Sequence, residues 1–437
     1  MTKILMRAGK SPFEAMSSYE TFDRNVMGSN NGNLLFASAA HKLLSTEGTS
    51  VDTRISGFNA KLAPSVNDEY DAFVIPLANA FRPSFENQLK SITGFIEKLT
   101  IPTVMLSGGA QSGPDGSFDW LKPMEDTVKN YCRAILKSSS HITVRGEHTA
   151  SYVRSLGFND VLVIGCPSMT MNGPGHAVRD LEKKDKYRVA YNIQTSKDFM
   201  GMLATKLESQ HEATYFPQDI ATLEMMLWAV EKYKSNRDAR LPLRSSHDQF
   251  TQNKAEFHLD ASTWINRMKD FDLSVGPRIH GNVVPILAGT PGVVLAHDSR
   301  TLELCEYHEI PHFKPDEAED VRDLDAVIER ADYSKFNAGH TGRFEKLVGF
   351  LKDNGISTIY DEGQEAARAD YERRLAKTNL PEPQRTEWAG MSAHERVRLA
   401  KQRTTEAKLT TLAKENLALK KRLEKLESEA KSLAPAK

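Results

Sequence analysis

Short apolar runs alternate along the chain with longer amphipathic ones, and the alternation predicts the elements. Tyr70–Pro76 reads as a buried strand, Pro83–Leu99 as a helix and Pro102–Leu106 as the next strand. Met124–Lys137 then fits a helix, Ser140–Val144 a strand, Thr149–Leu156 a helix and Val161–Ile164 a strand. The periodicity lapses around Asn172-Gly173-Pro174-Gly175, and a charged segment, 179–186, leads to a fresh strand at Arg188–Asn192. A helix at 197–210, a strand at 213–216 and helices at 219–234 and 261–270 follow. Leu273–Arg300 is a complete strand, loop, helix and strand, and a helix over 343–354 closes the series. The fold class is therefore α/β with parallel sheets, in two halves, 1–175 and 176–362.

Residues 363–437 change character. Ala, Glu, Lys, Arg and Leu dominate, and apart from Pro381 and Pro383 the segment reads as helix. A heptad runs through it, with Leu409, Asn416, Leu423 and Ala430 at one seam position and Leu412, Leu419, Leu426 and Leu433 at the other. Glu415 then faces Lys420, and Arg422 faces Glu427, across a parallel pair. The pattern predicts a C-terminal coiled coil over about 405–433 and a homodimer joined through it.

Composition removes several classes of function. Lys and Arg number 57 against 58 Asp and Glu, so no global field points to nucleic acid or to an anionic membrane. With 437 residues the chain exceeds the roughly 250–300 at which single cores stop growing. Cys132, Cys166 and Cys305 are far apart, which speaks against a disulfide framework and a zinc site and fits a reducing cytoplasm. The opening MTKILMRAGKSPFEAM holds no uninterrupted apolar run, and nothing approaches the ~20 apolar residues of a membrane span. No metal and no cofactor are implied.

Candidate chemistry lies at strand ends, where open α/β folds bind ligands. Arg278 and His280 fall in the loop after the strand that opens at Leu273, and Arg145 ends the strand at Ser140–Val144. Gly28–Asn33 runs directly into an Ala-rich helix, so the amides around Gly32 are expected to face a cleft, with Asn33 as N-cap or ligand; an ordinary capped helix is the alternative. Gly109 sits in a glycine-rich strand-end loop that either offers amides to a ligand or is a tight turn before a helix; it is expected behind the ligand, as is Ser168 in Gly165-Cys166-Pro167-Ser168. Neither a Walker loop nor GxGxxG is present, so a nucleotide is not implied.

Together these residues carry a resemblance. Gly28–Asn33 with its helix, Thr143-Val144-Arg145-Gly146-Glu147, Gly165–Ser168, Arg278-Ile279-His280-Gly281, Gly289-Thr290-Pro291 and Asp298-Ser299-Arg300 resemble the polysaccharide pyruvyl transferase family over roughly Val26–Tyr360. The resemblance implies two facing Rossmann-like domains of the GT-B type. It also implies transfer of pyruvyl from phosphoenolpyruvate, as a ketal, onto two hydroxyls of a saccharide acceptor, lipid-linked or polymeric. Arg145, Arg278, His280 and Arg300 would hold the donor. Asn33 stands where many members carry aspartate, which removes an ionisable group; Arg300 stands where some carry lysine, which keeps the charge. The chemistry suits the residues, because a guanidinium fork bonds carboxylate and phosphate bidentately and histidine can move a proton near neutral pH. His280 is the candidate acid or phosphate ligand. A nucleotide-sugar glycosyltransferase and a catalytically silent coiled-coil scaffold are the alternatives.

Overall fold

The computed structural model describes residues 2–113, 116–233 and 236–433, the side chains of 425 and 427–433 excepted. The first sheet is built from β1 (Thr2–Arg7), β2 (Thr49–Arg54), β3 (Ala72–Pro76) and β4 (Thr103–Leu106), all parallel, in the order β2-β1-β3-β4. A parallel pair, β5 (Ile142–Val144) and β6 (Val161–Val163), continues it through a bridge between Gly108 and Val144. The second sheet holds β7 (Arg188–Tyr191), β8 (Glu212–Tyr215), β9 (Leu273–Gly276), β10 (Gly292–Leu295) and β11 (His312–Phe313), again all parallel, in the order β11-β10-β9-β7-β8. Both sheets change direction once, the first between β1 and β3 and the second between β7 and β9. Such switch points open a crevice at the carboxyl ends of the flanking strands.

Two helices tie the sheets together. Gly32–Leu44 is buried at every position but Asn33 and Lys42. Its Ala37, Ala40 and Leu43 pack with Ile4, Met6 and Val74 of the first sheet, while Leu35 and Phe36 pack with Val283, Val284 and Leu287 of the second half. A helix apolar all round belongs in such a place. The closing helix spans Ser334–Asp353, and its Leu347, Phe350 and Leu351 join the same cluster as Val104 and Leu106, so it crosses back onto the first sheet.

Several expected elements differ. The hydrophobic pattern predicts neither β1 nor β2, although β1 is central to the first sheet. The helix expected at 219–234 is Ile220–Trp228, stopped by Ala229 in the left-handed region; Lys234 lies outside the described residues. The tail is not continuous helix: between the helices Glu365–Lys377 and Ala393–Leu433, residues 378–392 dock on the second half. There Gln384 pairs with Phe257, and buried Trp388 donates its indole N–H to the Met225 carbonyl at 2.6 Å. Prolines at 381 and 383 cannot continue a helix, and Trp388 supplies the apolar anchor. The last helix first lies on the body, with Arg403 over the Trp228 ring at 4.1 Å. Beyond it Leu409, Leu412, Leu419, Leu423 and Leu426 are each more than half exposed. The heptad residues Glu427, Glu429, Ala430 and Leu433 lie outside the described side chains. No described helix is long and apolar enough to cross a membrane.

Candidate active site

A cleft of about 530 Å³ lies where the two switch points face each other. From the first half it is lined by Arg7 at the end of β1, by Ala78, Asn79 and Arg82 after β3, and by Arg145 after β5. The second half contributes Gln194 after β7, Arg278 and His280 after β9, and His297, Asp298 and Arg300 after β10. All come from carboxyl ends of parallel strands, so one sheet edge from each half builds the site. Among the described residues, no group of His, Cys, Asp or Glu is arranged to hold a metal ion.

Arg278 is the N-cap of the helix Ile279–Leu287, so His280 stands in the first turn of that helix and not in the loop expected for it. The loop is short because Gly281 does not break the helix. A Cβ there would lie 2.4 Å from Gln218 Nε2 and 2.6 Å from Asn192 Nδ2, so glycine is required for the close approach of the β7 and β8 loops. Asn192 Oδ1 accepts the Arg278 amide at 2.7 Å. The Arg278 guanidinium donates to Asp219 and, at 3.3 Å, to the Ile193 carbonyl. Asp219 also pairs with Asn30 of the first half through a backbone bridge, so this ion pair sits where the halves touch.

His280 is held neutral. Burial and the nearby Arg145 charge push it down to about 3. Its Nε2 lies 3.8 Å from the Cys166 thiol, which in turn donates to the Ser168 hydroxyl at 3.3 Å. Ser168 therefore stands behind His280, outside the cleft lining. Gly32 also lies behind it, since a Cβ there would meet His280 Nδ1 at 2.6 Å. The amide cradle expected at this helix start is absent: the Gly32 amide donates to Asn30 Oδ1 at 3.0 Å, and those of Asn33 and Leu34 to the carbonyls of Asn30 and Asn31. Local turn bonds have consumed the donors that a ligand would have used. Asn33 is not the N-cap; it faces the cleft, its amide donating to the Met27 carbonyl at 2.9 Å.

Arg145 is buried, bonds the Ala78 carbonyl, and keeps a buried Nε with no hydrogen-bond partner. Gly109 makes its place, because a Cβ there would lie 2.7 Å from that Nε. Glu303 reaches across from the second half, accepting the Thr149 amide and hydroxyl, both at 2.9 Å. Burial raises its carboxyl to about 7 against the pull of Arg145. Arg300 donates to Asp298 at 3.1 and 2.5 Å, and Asp298 caps the helix Ser299–His308. Sequence reasoning missed Arg7, Arg82, Asp219, His297 and Glu303. Arg7 carried the same signal as Arg145, a basic residue at a strand end; the carboxylates carried none.

The fold and the cleft define a protein of two parallel α/β halves with an arginine-lined cleft between their sheet edges. A family model described as polysaccharide pyruvyl transferase matches residues 82–299, and the chain belongs to that family of transferases. No curated protein matches. Among solved structures the chain is similar to a UDP-GlcNAc 2-epimerase of Methanocaldococcus jannaschii, in complex with UDP-GlcNAc and UDP, at 12% identity and TM-score 0.43, covering 81% of this chain and 100% of that one. It is also similar to Anabaena HepE in complex with UDP, at 11% identity and TM-score 0.40, covering 86% and 100%.

Proposed function

We propose that the protein moves pyruvyl from phosphoenolpyruvate onto two hydroxyls of a saccharide, forming a pyruvate ketal. The observation that carries this reading is the convergence of Arg145 from one half with Arg278, His280 and Arg300 from the other on a single cleft. A small trianion needs several cations, and guanidinium forks match both its carboxylate and its phosphate. Arg145 and Arg278 are the clamp, and the unpartnered Arg145 Nε is a donor in waiting.

The reaction adds a proton to the donor's methylene carbon, which becomes methyl and leaves C2 electrophilic. Two acceptor hydroxyls then form C–O bonds to C2, and the C2–O bond to phosphate breaks. Of the two hydroxyl protons, one balances that taken up by carbon and the other leaves with phosphate. His280 enters this sequence neutral, held so by burial first and by the Arg145 charge second; the incoming trianion offsets the second of these, raising its affinity for a proton. It then serves as acid towards carbon or as phosphate ligand.

Membership of the family supports a saccharide acceptor. The test is release of inorganic phosphate from phosphoenolpyruvate, dependent on galactosyl, glucosyl or mannosyl acceptors. Donor binding without acceptor-dependent release from any of them would defeat the ketal reading; binding of a nucleotide sugar in place of phosphoenolpyruvate would favour a glycosyltransferase. We infer also that the chain is a cytoplasmic homodimer. The outward leucines of the last helix lie on the predicted seam, and a second copy supplies the matching stripe and the opposite charges at Glu415 and Lys420.

A further inference from the structure

The donor residues occupy only part of the cleft. Beyond Asn79 it continues along the first sheet, lined by Arg7, Arg82, Ser84, Phe85 and Ile55. This end belongs wholly to the first half and flanks its switch point, with Arg7 ending β1 and Arg82 in the loop after β3. The cavity of about 530 Å³ is more than one three-carbon phosphate ester fills, and a ketal forms only if the acceptor lies beside the donor.

The two arginines here are unlike Arg278 and Arg300. Arg278 and Arg300 each have a carboxylate partner. Arg7 has no ion pair or hydrogen bond from its guanidinium to any described residue; it lies over the Phe85 ring, 5.7 Å from the guanidinium carbon to the ring centroid, and feels the neutral Tyr131 hydroxyl only through space. Arg82 lies over the same ring at 5.4 Å and bonds only neutral groups, the Ser84 hydroxyl at 3.0 Å and the Asn79 carbonyl at 2.8 Å. Those bonds fix the Arg82 guanidinium in place. Burial lowers the proton affinity of both groups, and for Arg82 the neighbouring Arg300 and Arg7 charges add to the effect. Two partly desolvated cations held on one ring without a counter-ion are a standing cost that an incoming oxyanion relieves.

We propose that Arg7 and Arg82 form an oxyanion subsite for the acceptor, so that the saccharide receiving the pyruvyl group itself carries an acidic group, a phosphate or a uronic carboxylate. Phe85 and Ile55 give this end an apolar wall for the face of the adjoining sugar. The inference rests on the pyruvyl-transfer reading for the identity of the donor, but the subsite is defined by the first half alone. Arg82 also reaches towards Arg300 across Asn79, so Arg7 is the residue that separates acceptor from donor.

The test uses the full chain, wild type and Arg7→Met, with matched acceptors of one sugar: a neutral methyl glycoside, a glycosyl phosphate and a uronoside. At saturating phosphoenolpyruvate the wild type is expected to show a KM at least tenfold lower for one of the two charged acceptors than for the neutral one, and the better of the two identifies the group. Arg7→Met is expected to erase the preference and leave the KM for phosphoenolpyruvate within twofold; Arg7→Lys, which keeps the charge, is expected to retain part of it. An equal KM for neutral and charged acceptors in the wild type overturns the proposal, as does a rise in donor KM matching the rise in acceptor KM. Calorimetric binding of the glycosyl phosphate and the uronoside to wild type and to Arg7→Met needs no turnover. If no acceptor is pyruvylated, the function reading fails; the subsite then stands on a tenfold loss of binding in Arg7→Met and falls if both proteins bind alike. Circular dichroism melting shows whether the variants are folded.

Discussion

Replacing Arg278 by alanine probes both ends of the reasoning. Its guanidinium is shared between the cleft and Asp219, each side chain 17% exposed. A charge-assisted bidentate contact is worth about 1.5–3 kcal/mol, which is roughly a tenfold to 150-fold loss in donor affinity. The same change strips Asp219 of its partner and leaves a half-buried carboxylate whose Oδ2 already lacks a bond. That group costs stability by about 1–3 kcal/mol. Two measurements are therefore needed, calorimetric titration of phosphoenolpyruvate and a melt of the same sample. Asp219→Asn separates the effects, because it keeps the arginine and removes its competitor. Donor affinity should fall at least tenfold in Arg278→Ala and hold or improve in Asp219→Asn. Unchanged affinity in folded Arg278→Ala would refute the clamp. A loss of the same size in Asp219→Asn would show that the pair only holds the two halves in register.

His280→Ala is expected to lower turnover by about 10²–10⁴ if the imidazole delivers the proton, and His280→Gln to restore donor affinity better than rate; near-normal turnover in His280→Gln would reduce His280 to a phosphate ligand. Glu303 has a folded pKa of about 7, above its ordinary value of 4.5, so the folded state holds the extra proton in that interval and stability is lost as pH rises through it. Urea midpoints of Glu303→Gln relative to wild type should therefore climb from pH 4.5 to pH 7.5, and a constant difference would contradict the assignment. For the tail, a chain ending after Arg403 keeps Trp388 and the Arg403 contact with the body. Light scattering should give a dimer mass for the full chain and a monomer mass for the shortened one, and equal masses would show that the outer helix does not assemble it. Asn416→Leu should stabilise the assembly while loosening its oligomer state.

How far such a site is legible in a sequence depends on what encodes each part. Parallel strands covered on both faces read as continuous apolar runs, so β3, β4, β9 and β10 were visible, and with them the basic residues that follow. Arg145 and Arg278 were found in this way because all strands of a parallel sheet end on one edge, which turns a local signal into a position in space. β1 escaped because only Ile4, Leu5 and Met6 are apolar between Lys3 and Arg7. Its burial comes from the helices Gly32–Leu44 and Ser334–Asp353, which no local window reports. β2, TSVDTR, is a half-buried edge strand with a single strongly apolar residue. Losing β1 meant losing Arg7, although the rule that found Arg145 applies to it unchanged. Carboxylates obey no such rule. Asp219 meets Arg278 across 59 residues and Glu303 meets Thr149 across 154, and either could have been a solvated surface acid for all its neighbours in sequence show. Strand periodicity therefore marks where cations can gather, while long-range packing decides which of them are already paired; the charge left over for a ligand is the difference between the two.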